Sequence, residues 1–116
     1  MSRTLLLASA GERADSLAKA FAEVAPEIDV RTHAPGMDVS QVPYCLVWRA
    51  APGLWPAMKN LKVIFGLGAG IERLLADPSL PREVPLVRMV EPELTRGMVE
   101  YVLWQSLFHH RKVWEL

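Results

Sequence analysis

Short runs of apolar residues alternate along this chain with polar, glycine- or proline-containing segments. Five apolar runs predict β-strands, over Arg3–Ala8, Ile28–Thr32, Tyr44–Trp48, Val63–Gly66 and Pro85–Met89. Between and after them, apolar residues at helical spacing predict helices over Ala14–Val24, Trp55–Lys59, Ile71–Ala76 and from Thr95 to the C-terminus. Strands that alternate with helices through short loops indicate an α/β fold, a doubly wound parallel sheet. Five such strands favour the flavodoxin-like strand order 2-1-3-4-5.

The segment Val63–Ile71 is the centre of the predicted fold. An apolar strand runs into three glycines at alternate positions, and a helix follows. Such a turn exposes backbone N–H groups at the carboxyl edge of the sheet, where an anion can bind. The spacing differs from the dinucleotide fingerprint G-x-G-x-x-G, because Ile71 and Arg73 stand where that motif needs a small residue. We therefore expect a site for a small carboxylate, and a tight turn without a ligand is the alternative.

The last helix is unusual because large apolar residues occur on all its sides. They are Met98, Val99, Tyr101, Val102, Leu103, Trp104, Leu107 and Phe108. Since a helix that is apolar all round is normally buried, we expect more than the sheet to cover it. The chain ends without the Gly, Asn or Pro that usually follows a helix, which favours a chain that is part of a longer protein. Left uncovered, these residues predict self-association, with a homodimer as the expected state.

Composition limits the possible partners and compartments. The 116 residues, 51% of them hydrophobic, suit a single domain. Thirteen basic and thirteen acidic residues cancel, so neither nucleic acid nor an anionic membrane surface is an expected partner. No apolar run reaches the length of about 18 residues that a membrane span requires. The single cysteine, Cys45, lies in an apolar run and predicts a buried, unreactive thiol in a reducing cytoplasm.

Few residues offer chemistry of their own. His33 is isolated in the sequence, and His109 and His110 are adjacent, so their side chains diverge by about 100° on a helix and cannot share a metal ion. We therefore expect no metal site. A nucleophile elbow and a P-loop are both absent. Trp48, at the end of a strand, either caps the edge of the sheet or forms the wall of a ligand site on the glycine turn.

Four segments together resemble the D-isomer-specific 2-hydroxyacid dehydrogenases, and within them the glyoxylate/hydroxypyruvate reductase A branch. They are Leu46–Trp48, Leu61–Ile71, Val84–Arg88 and Met98–Tyr101. Members of this family have a flavodoxin-like substrate domain and an inserted dinucleotide-binding domain. The resemblance implies that residues 1–116 are the N-terminal portion of the substrate domain, and that the dinucleotide-binding domain is absent from this chain.

The resemblance also implies an activity and a set of site residues. The activity is the reduction of a small 2-oxo acid, such as glyoxylate or hydroxypyruvate, with NADP or NAD as cofactor. The backbone N–H groups of Ala69 and Gly70 would hold the substrate carboxylate, Trp48 would line the pocket, and Met98 would approach the nicotinamide. The family's catalytic arginine, glutamate and histidine would lie beyond residue 116, so we expect no catalytic residue here and no activity of this chain alone. The alternative is a stand-alone domain that binds a small carboxylate or a partner protein without catalysis.

Overall fold

The computed structural model describes residues 3–9 and 12–116 and, within them, follows the predicted order of elements. These elements are β1 (Thr4–Ala8), α1 (Glu12–Val24), β2 (Asp29–Thr32), β3 (Tyr44–Val47), α2 (Leu54–Ala57), β4 (Val63–Gly66), α3 (Glu72–Leu75), β5 (Leu86–Val87), α4 (Pro92–His110) and a 3-10 helix (Val113–Glu115). The turn expected after β1 includes Ala10 and Gly11, which lie outside the described residues.

The five strands form one parallel sheet in the order β2-β1-β3-β4-β5, which confirms the predicted flavodoxin-like arrangement. Residues Leu6, Cys45, Ile64 and Leu86 lie side by side in one row across β1, β3, β4 and β5. Parallel strands covered on both faces need apolar residues at nearly every position, which explains why these strands are continuous apolar runs in the sequence.

The hydrophobic core lies on the face of the sheet that carries Leu6, Cys45 and Ile64. The residues that cover it come from α2, α3 and the loops: Val39, Val42, Leu54, Trp55, Met58, Leu74 and Leu80. The indole of Trp55 donates a hydrogen bond of 3.0 Å to Asp77, which ties α2 to the loop after α3. The pKa of the Asp77 carboxyl is lowered mainly because it accepts a hydrogen bond from the Ser79 hydroxyl, and further because it accepts one from the Ser79 backbone N–H.

The opposite face of the sheet is only partly covered by the described residues. Helix α1 places Leu17 and Phe21 over this face, and beside them lies an open apolar cavity of about 750 Å³. Leu46, Phe65 and Val87 form a row across β3, β4 and β5 that lines this cavity. Phe65 and Val87 are consequently 36% and 47% exposed, although their strands lie within the sheet or at its short edge.

Cys45 has no exposed surface, as its position in an apolar run predicts. Burial raises the pKa of its thiol from 9.0 to about 12, because the low-dielectric interior disfavours the thiolate. The expectation of a buried, unreactive thiol is confirmed in this respect.

Helix α4 begins three residues earlier than predicted and stops before the C-terminus. The side chain of Glu91 accepts hydrogen bonds from the N–H groups of Glu93 and Leu94, at 2.9 and 2.8 Å, and Pro92 occupies the first turn. Glutamate is not among the favoured capping residues, which is why the pattern hid this start. Lys112 adopts a left-handed conformation with a φ of 50° and directs the chain into the 3-10 helix. The expectation of one continuous helix to the C-terminus is therefore wrong.

Helix α4 is also not buried, contrary to expectation. It has no buried residue, and its large apolar side chains from Leu94 to Leu107 are 53–61% exposed. Its main packing contact is with the 3-10 helix, where Trp114 lies 5.7 Å from the ring of Phe108. The projecting helix gives a radius of gyration of 18.5 Å, against about 13 Å for a compact domain of this size. None of the described helices is long and apolar enough to cross a membrane.

Candidate functional site

Trp48 and the glycine turn meet at the carboxyl edge of the sheet, because β3 and β4 are neighbours. The N–H of Leu67 donates to the carbonyl of Val47 at 2.8 Å and continues the β3–β4 pairing beyond the strand ends. This register sets the indole of Trp48 against Gly68. A Cβ atom at position 68 would lie 2.4 Å from Cζ3 of the indole. Glycine is thus needed here for close approach of the ring.

Strand β5 fixes the turn from its other side. The N–H of Met89 donates to the carbonyl of Gly68 at 3.1 Å, and a guanidinium nitrogen of Arg88 donates to the carbonyl of Ala69 at 3.3 Å. The turn is therefore held by hydrogen bonds from both neighbouring strands. Arg88 also brings a positive charge to the turn.

The backbone N–H groups of Ala69 and Gly70 find no hydrogen-bond acceptor among the described residues. The N–H groups of Gly68 and Ile71 also have no acceptor there, and because Gly70 is exposed, water as well as a ligand can reach these donors. Left-handed glycine conformations occur only at Gly36 and Gly53 in the described chain, so the turn does not rely on a positive φ. A substitution at Gly70 would therefore act through the space that its Cβ occupies.

Glu72, the first residue of α3, places a negative charge beside this pair of donors. Its Oε2 atom lies 2.8 Å from the position that a Cβ on Gly70 would take. A carboxylate ligand on the N–H groups of Ala69 and Gly70 would meet repulsion from Glu72 and attraction from Arg88. Glu72 and Arg88 therefore have opposite effects on the binding of an anion at the turn.

A surface groove of about 700 Å³ adjoins the turn on the side of α1. It is lined by Arg13, Ser16, Leu17, Trp48 and Leu67. The guanidinium carbon of Arg13 lies 6.0 Å from the centroid of the Trp48 ring, which is the range of a cation–π contact. Trp48 is 45% exposed and forms the wall between the groove and the glycine turn.

Of the four predicted site residues, the structure brings three together and leaves one apart. Trp48, Ala69 and Gly70 meet at one edge of the sheet. Met98 lies on the projecting helix α4, is 54% exposed, and does not line the grooves beside the turn. In the part of the chain that is described, no group of His, Cys, Asp and Glu side chains could hold a metal ion.

Three charged residues of this site, Arg13, Glu72 and Arg88, were not predicted from the sequence pattern. Arg13 and Arg88 follow β1 and β5, and Glu72 follows the turn after β4. Since the carboxyl ends of parallel strands share one edge, the predicted topology already placed all three there. That topological signal could have found them.

No family model matches the sequence, but individual proteins do. The chain is 34% identical over 92 residues to glyoxylate/hydroxypyruvate reductase A of Serratia proteamaculans. This alignment covers 75% of the present chain and 29% of that protein. A D-isomer-specific 2-hydroxyacid dehydrogenase of Xanthobacter autotrophicus Py2, solved with NADPH and MES, superimposes with a TM-score of 0.81 and 32% identity. That alignment covers 97% of this chain and 37% of the other.

A second solved structure gives the same result. The NADPH-dependent glyoxylate/hydroxypyruvate reductase of Sinorhizobium meliloti, in complex with NADP and sulfate, has a TM-score of 0.76 and 36% identity over 97% of this chain and 36% of its own. The present chain therefore spans about a third of the length of the proteins it matches. By both sequence and fold, the chain belongs to the D-isomer-specific 2-hydroxyacid dehydrogenase family and to its glyoxylate/hydroxypyruvate reductase A branch.

Proposed function

We propose that this chain is the substrate-anchoring part of an NAD(P)-dependent reductase of small 2-oxo acids. The backbone N–H groups of Ala69 and Gly70 hold the substrate carboxylate, and the indole of Trp48 forms the wall beside it. The observation that carries this proposal is the pair of backbone donors without an acceptor among the described residues. The names of the matching reductases supply the substrate class, glyoxylate and hydroxypyruvate.

The two N–H donors of the turn are already in position before a ligand binds. Hydrogen bonds from Arg88 and Met89 hold the turn, so little ordering is needed when a ligand binds. Hydrogen bonds from backbone N–H groups to an anion are charge-assisted and stronger than neutral ones. The Arg88 guanidinium adds favourable electrostatics, which the Glu72 carboxylate partly offsets.

The nicotinamide cofactor of the family does not find a complete site in the described residues. The glycine turn lacks the spacing of the dinucleotide motif. Met98, the expected cofactor contact, is exposed on a helix whose main packing contact is the 3-10 helix. A nicotinamide contact at Met98 would therefore need further protein groups that hold the cofactor against α4.

Two uncovered apolar surfaces support the proposal that residues 1–116 are one portion of a substrate domain. One is the row Leu46, Phe65 and Val87 on the sheet, and the other is helix α4. In a doubly wound fold both sheet faces are covered. Exposed contiguous apolar surface of this kind marks a place where other protein normally packs.

A binding experiment on the chain itself tests the anchoring. Titration of the isotope-labelled chain with glyoxylate, followed by NMR, is expected to shift the amide signals of Ala69 and Gly70. Gly70→Val is expected to weaken binding by about 10-fold or more, because its side chain blocks access to the two donors. Gly97→Val is the matched control, since a Cβ at Gly97 meets nothing within 4 Å.

Glu72→Gln tests the same site in the opposite direction. Removing this negative charge is expected to tighten glyoxylate binding by about 2- to 5-fold, a modest gain because the groups face solvent. Amide signals of Ala69 and Gly70 that do not respond to glyoxylate in a folded chain would refute the anchoring.

The alternative is a domain that binds a small carboxylate or a partner protein without catalysis. The exposed apolar surface of α4 favours a protein partner. Both functions use the glycine turn as the binding site. They differ in one reaction, because only the reductase in its complete form oxidises a reduced nicotinamide when a 2-oxo acid is present. Absence of that reaction, with glyoxylate still bound at the turn, would favour the alternative.

A further inference from the structure

We propose that Arg13 and Trp48 form a second recognition element for a 2-oxo acid that carries another carboxylate at its far end. This inference rests on the proposed function, since it assumes that the first carboxylate binds at the glycine turn. It adds a preference among substrates, for 2-oxo dicarboxylic acids over glyoxylate, and assigns that preference to one side chain.

The first observation is a positive charge that no described carboxylate neutralises. Arg13 lies in the first turn of α1, at the carboxyl edge of the sheet, and its side chain is exposed. Among the described side chains no carboxylate pairs with it, and its contact is the face of Trp48 at 6.0 Å. A guanidinium presents planar, forked hydrogen-bond donors that suit a carboxylate ligand.

The second observation is the groove that this guanidinium borders. Ser16 adds a hydroxyl to it, whereas Leu17, Leu67 and Trp48 provide apolar walls. Its volume of about 700 Å³ accommodates a small acid with its bound water. Apolar walls with a few polar groups at one end are typical of sites that orient a small ligand.

The third observation connects this groove to the glycine turn. The indole of Trp48 abuts Gly68 through Cζ3 and lies under the Arg13 guanidinium. In the proposed pose, the first carboxylate of the ligand binds the N–H groups of Ala69 and Gly70, the carbon chain follows the indole, and the second carboxylate points towards Arg13. Glyoxylate has no group beyond its aldehyde carbon and cannot make this second contact.

The probes are glyoxylate and 2-oxoglutarate, titrated separately into the isotope-labelled chain and followed by NMR. The unmodified chain is expected to bind 2-oxoglutarate more tightly than glyoxylate. In Arg13→Gln, 2-oxoglutarate binding is expected to weaken by about 3- to 10-fold, and glyoxylate binding is expected to weaken clearly less. Added salt should weaken the 2-oxoglutarate interaction more strongly, because the contact is exposed.

Lys19→Gln is the matched control, because it removes one positive charge from the same helix outside the groove. An equal effect of Arg13→Gln and Lys19→Gln, or an equal effect of Arg13→Gln on both acids, would overturn the inference.

If both acids shift Ala69 and Gly70 but Arg13→Gln has no effect, the inference fails and the anchoring stands. If 2-oxoglutarate shifts only the Trp48 indole signal and loses that effect in Arg13→Gln, the anchoring fails, and the inference that Arg13 is a second recognition element fails with it. Absence of any response rejects both.

Discussion

The indole of Trp48 leaves room for only a hydrogen atom on residue 68. A methyl group there would lie 2.4 Å from the ring, well inside contact distance, so the ring or the turn would have to move. The ring is half exposed and the turn is held by β3 and β5, so displacement of the ring is the easier response. At this scale, one glycine determines where the wall of the candidate site lies.

Burial in the fold changes the ionisation of Cys45, which provides a pH test of the core. The thiol has a pKa of about 12 in the fold against 9.0 when exposed, so between these values the unfolded chain has lost the proton and the folded chain retains it. The free energy of unfolding should therefore decrease as the pH rises through this range, by up to about 1.4 kcal/mol per pH unit. Below a pH of about 9 this contribution is constant.

The measurement is urea unfolding between neutral and alkaline pH, compared with Cys45→Ala, which lacks the titrating group. The difference between the two proteins isolates the contribution of the thiol to the free energy of unfolding. A thiol reagent should also modify the chain only after unfolding. Rapid modification of the native chain would contradict the burial of Cys45.

At the scale of elements, α4 differs from the rest because its stability does not come from packing on the sheet. Its start is defined by the Glu91 cap, and its aromatic side chains contact one another along the helix. Tyr101 and Trp104 have ring centroids 6.4 Å apart, and Trp104 and Phe108 5.5 Å. These local contacts order the helix but leave most of its apolar surface in water.

We expect the isolated chain to self-associate through α4, since burial of each large apolar side chain contributes about 1.5–3 kcal/mol. Replacing Leu103 and Leu107 together by Lys should shift the chain towards the monomer, as measured by sedimentation. Glu100→Lys adds positive charge to the same helix without removing apolar surface, and it should leave association nearly unchanged. A clean monomer of the unmodified chain at high concentration would disprove the prediction.

At the scale of the whole molecule, the described chain brings no imidazole to the candidate anchoring edge. His33 follows β2, which is separated from β4 by two strands, a distance of about 14 Å. His109 and His110 are in the last turn of α4, on the projecting part of the molecule. None of these three imidazoles is placed to transfer a proton to a 2-oxo acid on the turn.

The chain alone is therefore expected not to reduce glyoxylate or hydroxypyruvate with NADPH or NADH. The assay follows the absorbance of the reduced nicotinamide, with the Sinorhizobium meliloti reductase as positive control. Turnover that copurifies with the 116-residue chain would show that the proton donor is present and has been overlooked.

Local pattern by itself determined the order and type of the elements. The apolar runs predicted all five strands, with correct bounds for Val63–Gly66 and ranges one or more residues too long for the other four, and alternation with helices led to the parallel order. Burial of Cys45 followed from the same runs, because a central parallel strand is covered on both faces. The resemblance of four segments identified the family, which sequence and fold comparisons confirm.

Only the tertiary structure decided which side chains meet at the turn and which surfaces stay open. Arg13 contacts Trp48 across 35 residues, and Arg88 contacts Ala69 across 19, separations at which helical or strand periodicity carries no signal. The exposure of α4 was likewise hidden, because an apolar pattern records what a helix can bury and not whether a partner surface is present. Periodicity is set by neighbours in the chain, whereas a binding site is set by neighbours in space.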